Sequence, residues 1–554
     1  MNEQLRQLGE QYWDYTLERQ PTQALMLGDH RYDDRFEDMS RQAEDAVIGR
    51  LREFAAEAET IDPAGLTPDE RISRDVLIFE AGTSADMQET RQAELAVNHT
   101  IGLQTTLPVI VPMLPLTEPE HALAMPAKFT AMARSIRQSA VRFQEGVANG
   151  RLPIRYHADK TVEQIDEYLA SPAEEDPYLG LRTPEAFSEA DAADWRAEIA
   201  DVIASEIRPA WEEFRRVVAE EVAPAARSSD QPGVCFLADG EELYRRAIRR
   251  HTSIDLSAEE IHEIGLSQIA KLDDEYRTLG GEVLGTTDLT EIYNTLRNDP
   301  ALRFEDGPSI VTASEMAMAK AKAAMGDWFG RLPQADCVVQ ETPHGPTAYY
   351  FPPATDGSRP GTFFINTADP TRWHRFEIES MAYHEGIPGH HLQLAISGEL
   401  EDVPEFRKHA RVTAYAEGWG LYTERLADEM GLYSGAMERI GMLSADSMRA
   451  GRLVVDTGLH AMGWTRQQAI DYFADNSPMS MTSIEGEVDR YIGMPGQALA
   501  YMVGRLEITK YRDHAHAELG DRFDIKGFHD TVLGSGLVPL PTLERMVDEW
   551  VRAS

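Results

Sequence analysis

Apolar residues recur at helical spacing along most of the chain, and this periodicity limits the fold more than any other feature of the sequence. A repeat of about 3.6 residues places apolar side chains on one face of a helix, where they pack against neighbouring helices. The pattern predicts helices over 211–222, 257–279, 414–430, 444–462 and 540–551. Two short aromatic segments, 348–351 and 361–366, predict a small strand pair instead. We therefore expect a mainly α fold with a minor β element.

The length of 554 residues exceeds what a single hydrophobic core usually supports, so two lobes are expected. Turn-forming residues cluster between Ser228 and Gly233, where a lobe boundary would fall. We place an N-terminal helical lobe at residues 1–230 and a second lobe at 231–554. The segments that suggest chemistry all follow residue 340 and therefore lie in the second lobe.

The chain has a formal net charge of −41, from 94 acidic and 53 basic residues. Such a charge repels nucleic acid and anionic membranes, so neither is expected as a partner. The most apolar stretch, 101–116, is interrupted by prolines and is too short to cross a bilayer. The polar N-terminus lacks a signal-peptide pattern, so the cytoplasm is the expected location. Cys235 and Cys337 are expected to be free thiols.

The segment HEGIPGHH, residues 384–391, predicts a metal site. In zincins, two histidines one helical turn apart bind zinc, and the glutamate after the first histidine contacts the metal-bound water. Here His384 and Glu385 provide the first half of that pattern. The residue four positions after His384 is Pro388, which cannot bind a metal. The second ligand is therefore His390 or His391.

Helical geometry helps to separate these two candidates. At about 100° per residue, His391 returns to the face of His384 but about 10.5 Å further along the axis, whereas His390 points away. Pro388 removes a helical hydrogen bond and Gly389 adds freedom, so a kink or bulge is expected between the histidines. A bulge with two extra residues restores the pairing of His384 with His390, and it favours His390 over His391.

The third ligand is expected in the segment AYAEGWGLYTE, residues 414–424. A catalytic zinc ion has three protein ligands and one open position. Glu417 is separated from His390 by enough residues for a short loop and a returning helix. Glu424, two turns later, is an alternative ligand or a residue that orients one. We expect one Zn2+ ion, held by His384, by His390 or His391, and by Glu417, with Glu385 as the general base.

Further residues are candidates for handling the substrate, and for each of them a purely structural contact is the alternative. Tyr501 and His460 are candidate donors to the oxyanion. Asp456 lies four residues before His460 on a predicted helix, so its carboxylate would orient the imidazole. Arg490 is a candidate clamp for a substrate carboxylate. The strand that ends at Asn366 would pair with the substrate backbone by strand addition.

Several segments resemble a large bacterial family known as domain of unknown function 885. They are HEGIPGHHLQ, AYAEGWGLYTERL, RLVVDTGLHAMGW, RYIGMPGQALAYMVG and, at 244–252, YRRAIRRHT. In fold, that family resembles the helical thermostable carboxypeptidases of the gluzincin class. The resemblance implies a two-lobed, helical, metallopeptidase-like fold, with a zincin-like second lobe and a cleft beside the β element. By position, the resemblance also implies His384, His390 or His391, and Glu417 as ligands, and Glu385 as the general base. The chain departs from the family pattern at Met502, where a lysine often follows the tyrosine, so no cation is expected to act there.

These features together predict a zinc-dependent hydrolase of peptide bonds, with carboxypeptidase-like action as one form. One alternative is a metal-containing binding or scaffold protein without catalysis, since Pro388 and Gly389 would distort the site. The other is a hydrolase of esters or non-peptide amides. The expected partner is a peptide or small amide substrate, and a homodimer is one candidate assembly.

Overall fold

The N-terminal part of the chain consists of helices joined by turns and by longer loops. The structure is a computed structural model that describes residues 2–343, 346–354, 357 and 359–554. These helices are α1 (Glu3–Arg19), α2 (Pro21–Met26), α3 (Arg41–Glu59), α4 (Pro68–Glu89), α5 (Leu103–Ile110), α6 (Pro119–Leu123), α7 (Met125–Asn149), α8 (Arg155–Ala170), α9 (Glu189–Val202), α10 (Arg208–Val217) and α11 (Ala223–Ala225). Two π-helical segments, Ile203–Ile207 and Val218–Val222, connect the last three.

The rest of the chain adds a small sheet between two groups of helices. Before the sheet lie α12 (Gly240–Thr252), α13 (Ala258–Val283), α14 (Leu289–Asn298) and α15 (Gly307–Trp328). The strands are β1 (Cys337–Thr342), β2 (Ala348–Phe351) and β3 (Gly361–Asn366). After them follow α16 (Ile378–Glu385), α17 (His390–Gly398), α18 (Glu405–Lys408), α19 (Thr413–Glu429), α20 (Ala436–His460), α21 (Arg466–Asn476), α22 (Met481–Gly493), α23 (Ala500–Leu519), α24 (Ile525–Leu533) and α25 (Leu540–Ala553). The expectation of a mainly α fold with a minor β element is confirmed.

Polar side chains fix where several helices begin. At the start of α13 the Ser257 hydroxyl accepts from the backbone N–H of Glu260, and the Glu260 carboxylate accepts from the backbone N–H of Ser257. The same reciprocal pair forms at the start of α4, between Thr67 and Glu70. These contacts satisfy backbone N–H groups that have no partner within the helix. The helix predicted from 257 therefore begins where its cap indicates.

Apolar side chains of the described residues form three cores. The largest joins residues of α1, α3 and α4 to residues 234–547, and the second gathers residues 97–223 together with Leu25 of α2. The third lies mostly within 455–498. Helices α1, α3 and α4 thus pack with the second half of the chain. The lobe boundary at 230 stays a prediction.

The sheet has the strand order β1-β3-β2, with β1 parallel and β2 antiparallel to β3. The predicted pairing of 348–351 with 361–366 is confirmed, with Ala348 opposite Ile365. The sequence interpretation missed β1, which pairs along the other side of β3. Because both edges of β3 are already paired, this strand offers no edge to which a substrate strand could add.

Helix α20 runs through the interior and packs against α13, α16 and α19. Nearly all of its residues from Ile440 to His460 are buried. Helices α19 and α23 pack along each other, so that α16, α19, α20 and α23 surround the segment predicted to bind metal. Within the described residues, none of the helices combines the length and the apolar composition needed to cross a bilayer.

Candidate metal centre

The helix that carries His384 is interrupted, as the proline and glycine predict. Helix α16 ends at Glu385 and α17 begins at His390. The backbone passes close to itself in the segment between them, and a Cβ on Gly389 would lie 1.9 Å from the carbonyl oxygen of His384. Only glycine fits there. The interruption turns His390 back toward the ring of His384, with ring centroids 4.8 Å apart.

His384, His390 and Glu417 bring three ligand atoms together, all within 4.8 Å of one another. A Glu417 carboxylate oxygen lies 3.6 Å from Nε2 of His384 and 3.4 Å from Nε2 of His390. Because a tetrahedral zinc ion lies about 2.0–2.1 Å from such ligands, two ligand atoms around it are about 3.4 Å apart. The two separations between the Glu417 carboxylate and the imidazoles therefore match those expected around a zinc ion.

The cluster is buried on one side and open on the other. The His384 side chain is only 3% exposed, whereas that of Glu417 is 22% exposed. Burial alone would raise the pKa of Glu417, but the two imidazoles lower it well below its ordinary value. A bound cation would provide the same stabilisation of the Glu417 carboxylate. The open side leaves room for the free coordination position that a catalytic zinc ion needs.

Glu424 orients His384 from behind the cluster. One of its oxygens lies 2.8 Å from Nδ1 of His384, and the other accepts a hydrogen bond from the Ser380 hydroxyl at 2.6 Å. Burial disfavours the charged imidazole, yet the hydrogen bonds to Glu417 and Glu424 raise the pKa of His384 to about 9. With Nδ1 held by Glu424, Nε2 faces Glu417. Of the two roles considered for Glu424, the geometry favours orientation of a ligand.

Replacement of Glu424 by glutamine is expected to weaken zinc binding by about 10–100-fold without abolishing it. The amide keeps the shape of the side chain but removes the negative charge that fixes the His384 tautomer. Competition with a chromogenic zinc chelator measures the change in Kd. Affinity equal to that of the unaltered protein would mean that Glu424 does not orient the ligand.

Gly420 on α19 allows His384 to lie against that helix. A Cβ at this position would lie 2.7–3.0 Å from atoms of the His384 ring. We expect Gly420→Ala to displace the ring and to weaken zinc binding by about tenfold or more, at a stability cost of about 1–3 kcal/mol. The matched control is Gly398→Ala, because a Cβ on Gly398 would meet nothing within 4 Å. Zinc titration and thermal melting of both variants test this expectation, and equal zinc affinities would contradict it.

His391, the other candidate for the second ligand, lies outside the cluster. Its Nδ1 is 2.9 Å from the Tyr350 hydroxyl on β2, and its Nε2 is 3.2 Å from the carbonyl oxygen of Ala335. Both ring nitrogens are thus engaged by the sheet and by the loop before it. Of the two candidates for the second ligand, His390 therefore lies in the cluster and His391 lies outside it.

His460 and Asp456 do not form the pair that their spacing suggests. Nδ1 of His460 accepts from the backbone N–H of Val234, and Nε2 donates to the carbonyl oxygen of Tyr491. Asp456 instead accepts from the hydroxyl of Tyr244, and burial raises its pKa to about 7. Because both nitrogens of His460 are occupied, this residue has no donor for an oxyanion.

The two residues predicted to contact substrate also have structural partners. Arg490 donates to Glu487 at 2.9 Å and to Gln497 at 2.6 Å. At the end of β3, the side-chain oxygen of Asn366 accepts from the backbone N–H of Ala368. These contacts provide the structural alternative for both residues, and their expected roles in holding substrate stay predictions.

Tyr501 and Glu385 do lie beside the cluster. The ring of Tyr501 is half-buried and stacks at 21° on that of His384, with centroids 6.4 Å apart. Glu385 directly follows His384 at the end of α16 and is partly exposed. Its carboxylate makes no hydrogen bond or ion pair with the part of the chain that the structure describes. Tyr501 thus lies against a residue of the cluster, and Glu385 is adjacent in sequence to the same residue.

A second group of ligand atoms in the N-terminal part, from His30, Asp33 and His121, was not predicted. Its two imidazoles stack face to face, with centroids 3.5 Å apart and planes 4° from parallel. Imidazole lone pairs lie in the ring plane, so those of parallel stacked rings do not converge on one ion. The rings of His384 and His390 are 86° apart, and their lone pairs can converge.

The fold and the cluster together define a mainly helical protein with a His-His-Glu candidate metal centre. Residues 21–547 match a family described as "Bacterial protein of unknown function (DUF885)", and the chain belongs to this family. A solved "putative lipoprotein" from Colwellia psychrerythraea is 25% identical, with a TM-score of 0.92 over 100% of this chain and 99% of that one. Another, from Shewanella oneidensis and "of unknown function", is 18% identical, with a TM-score of 0.77 over 98% and 99%, and shows the fold alone. No curated protein matches the sequence.

Proposed function

We propose that the protein is a zinc-dependent hydrolase of peptide bonds. The observation that supports this best is the convergence of His384, His390 and Glu417 at separations suited to a tetrahedral ion. Two imidazoles and one carboxylate are a donor set found in catalytic zinc sites of peptidases. A zinc ion held there would polarise the scissile carbonyl group and lower the pKa of a water molecule.

Glu385 is the proposed general base. It is adjacent to a ligand and has no competing partner among the described residues. Its carboxylate would accept a proton from the attacking water and deliver it to the leaving nitrogen. Such a double transfer needs a carboxylate without a competing partner, and Glu385 provides one directly after the ligand His384.

Tyr501 is the proposed donor to the oxyanion. Burial and the nearby charge of Glu417 raise the pKa of its phenol, so the hydroxyl stays protonated at neutral pH. A hydroxyl donor fixed next to the reacting carbonyl stabilises the charge that develops on its oxygen. Tyr501 takes this role alone, since His460 is engaged elsewhere.

The test is a panel of fluorogenic peptides, matched esters and non-peptide amides, assayed with and without a chelator. We expect hydrolysis of peptides that stops on zinc removal and returns when zinc is added back. Hydrolysis of the esters or non-peptide amides alone would replace the peptidase proposal with the other enzymatic one. Stoichiometric zinc without turnover of any substrate would favour a metal-containing binding protein.

We propose the cytoplasm as the location, in line with the sequence. The two similar solved proteins are called lipoproteins, and a lipid-anchored form of this chain would be found with the membrane fraction instead. Fractionation of cells that express the native gene, followed by immunoblotting, separates the two locations.

A further inference from the structure

Two buried arginines lie one aromatic ring away from the candidate metal centre. Arg449 and Arg452 are one turn apart on α20, and each is only 5% exposed. Their guanidinium carbons lie 5.8 and 4.3 Å from the ring centroid of Tyr501. The same ring stacks on that of the ligand His384. Both cations are therefore beside the proposed site of hydrolysis.

The arginines around Tyr501 outnumber the carboxylates with which they pair, although the whole protein has a net charge of −41. Arg452 and Arg490 share one carboxylate, that of Glu487, at 2.8 and 2.9 Å. The described ion pair of Arg449 is a long one, 3.8 Å to Glu424. Three guanidinium groups thus share two carboxylates, and one of these is already hydrogen-bonded to a ligand histidine. An anionic partner would balance the pocket.

Both arginines also have donors without acceptors. Nε of Arg449 and Nη1 of Arg452 are buried and have no hydrogen-bond partner among the described residues. A buried N–H group without an acceptor is unfavourable, and a charged one more so. A carboxylate has two oxygens that accept several hydrogen bonds, and guanidinium groups bind it strongly.

We propose that Arg449 and Arg452 bind a carboxylate of the substrate next to the scissile bond. This inference rests on the proposed peptidase function, and it defines the substrate class as peptides with a carboxylate near that bond. The carboxylate is either the C-terminus or an acidic side chain. The structure thereby transfers the role predicted for Arg490 to two other arginines, because the donors of Arg490 serve Glu487 and Gln497.

The experiment uses the full-length, zinc-loaded Glu385→Gln variant, which is expected to bind peptides without cleaving them. Isothermal titration calorimetry compares three peptides. The first is N-acetyl-trialanine, which has a free C-terminal carboxylate, and the second is its C-terminal amide. The third is a C-terminal amide whose last residue is aspartate. We expect the free carboxylate to bind at least tenfold more tightly than the alanine amide. Tight binding of the aspartyl amide as well would identify an acidic side chain as a second source of the carboxylate.

Arginine variants then assign the effect to the pocket. Arg452→Gln and Arg449→Gln, each in the Glu385→Gln background, are expected to weaken binding of the carboxylate peptides at least tenfold and to leave the alanine amide unchanged. Arg439→Gln is the matched control, because Arg439 is on the same helix but pairs with Asp428 at the surface. Zinc content and melting temperature show whether each variant is intact. If one arginine variant does not fold, the proposal is still tested by the other variant. It is also tested by the ratio of the affinities of the Glu385→Gln protein for the carboxylate peptide and for its amide.

Equal binding of the acid and the amides, no binding of any peptide, or equal weakening of all three by the arginine variants would overturn the proposal. Failure of the peptidase function has a different signature. In that case the protein with Glu385 intact contains no zinc or cleaves no peptide, whatever its preference for carboxylates.

Discussion

Replacement of Glu385 by glutamine is expected to leave zinc bound and to lower the turnover of a peptide substrate by about a hundredfold to ten-thousandfold. Glutamine has nearly the same shape, but its amide cannot accept a proton from water. Because Glu385 has no described partner to lose, the fold should be unaffected. Steady-state kinetics together with zinc analysis by mass spectrometry measures both effects on one preparation.

Glu379→Gln provides the matched control for this variant. Glu379 is on the same helix, but its carboxylate accepts from Ser434 rather than facing the cluster. We expect this variant to keep near-normal kcat. Unchanged turnover in Glu385→Gln would reject Glu385 as the base, while loss of zinc would mean that it acts through the metal site itself.

Removal of a ligand should have the largest effect on metal binding. Loss of a residue that only orients a ligand typically weakens metal binding by about 10–100-fold. His390→Ala removes a ligand itself and is expected to weaken zinc binding more than that. The adjacent variant His391→Ala should keep stoichiometric zinc, since the ring of His391 contacts Tyr350 and Ala335 instead. It should cost about 1 kcal/mol of unfolding free energy through the lost hydrogen bonds.

The two histidine variants form a matched pair because the substituted residues are adjacent in the same turn of the helix. Chelator competition and chemical denaturation of both variants separate zinc affinity from stability. Zinc loss in His391→Ala with retention in His390→Ala would reverse the ligand assignment. Equal loss in both would point to a general collapse of the segment.

The sequence predicted well which residues lie together in the cluster, because their constraint is local, whereas their role as metal ligands stays a prediction. Pro388 excludes a straight helix between the histidines, so an interruption is expected there. An interruption of two residues brings His390, rather than His391, next to His384. Glu417 followed from the need for a third ligand on a returning helix. The structure brings these residues together as expected. Ser380 was missed, although it lies one turn before His384 and therefore on the same helix face.

Contacts with residues distant in sequence were not predicted. The spacing of Asp456 and His460 shows that they share a helix face. It does not show that Asp456 contacts Tyr244 and that His460 contacts Val234. Strand β1 lacks the aromatic pattern of its neighbours, so its pairing with β3 was not visible. Arg449 and Arg452 did leave a signal, because charged residues within an otherwise apolar helix need a buried partner. The sequence does not show that both arginines lie against the ring of Tyr501, because that contact depends on how the helices pack.

The central claim is that one zinc ion is bound by His384, His390 and Glu417. Diffraction from crystals of the native protein, measured on both sides of the zinc absorption edge, tests it most directly. We expect one strong anomalous peak within bonding distance of Nε2 of both histidines and of the Glu417 carboxylate. The absence of a peak there from protein shown to contain zinc, or a peak beside His391, would contradict it.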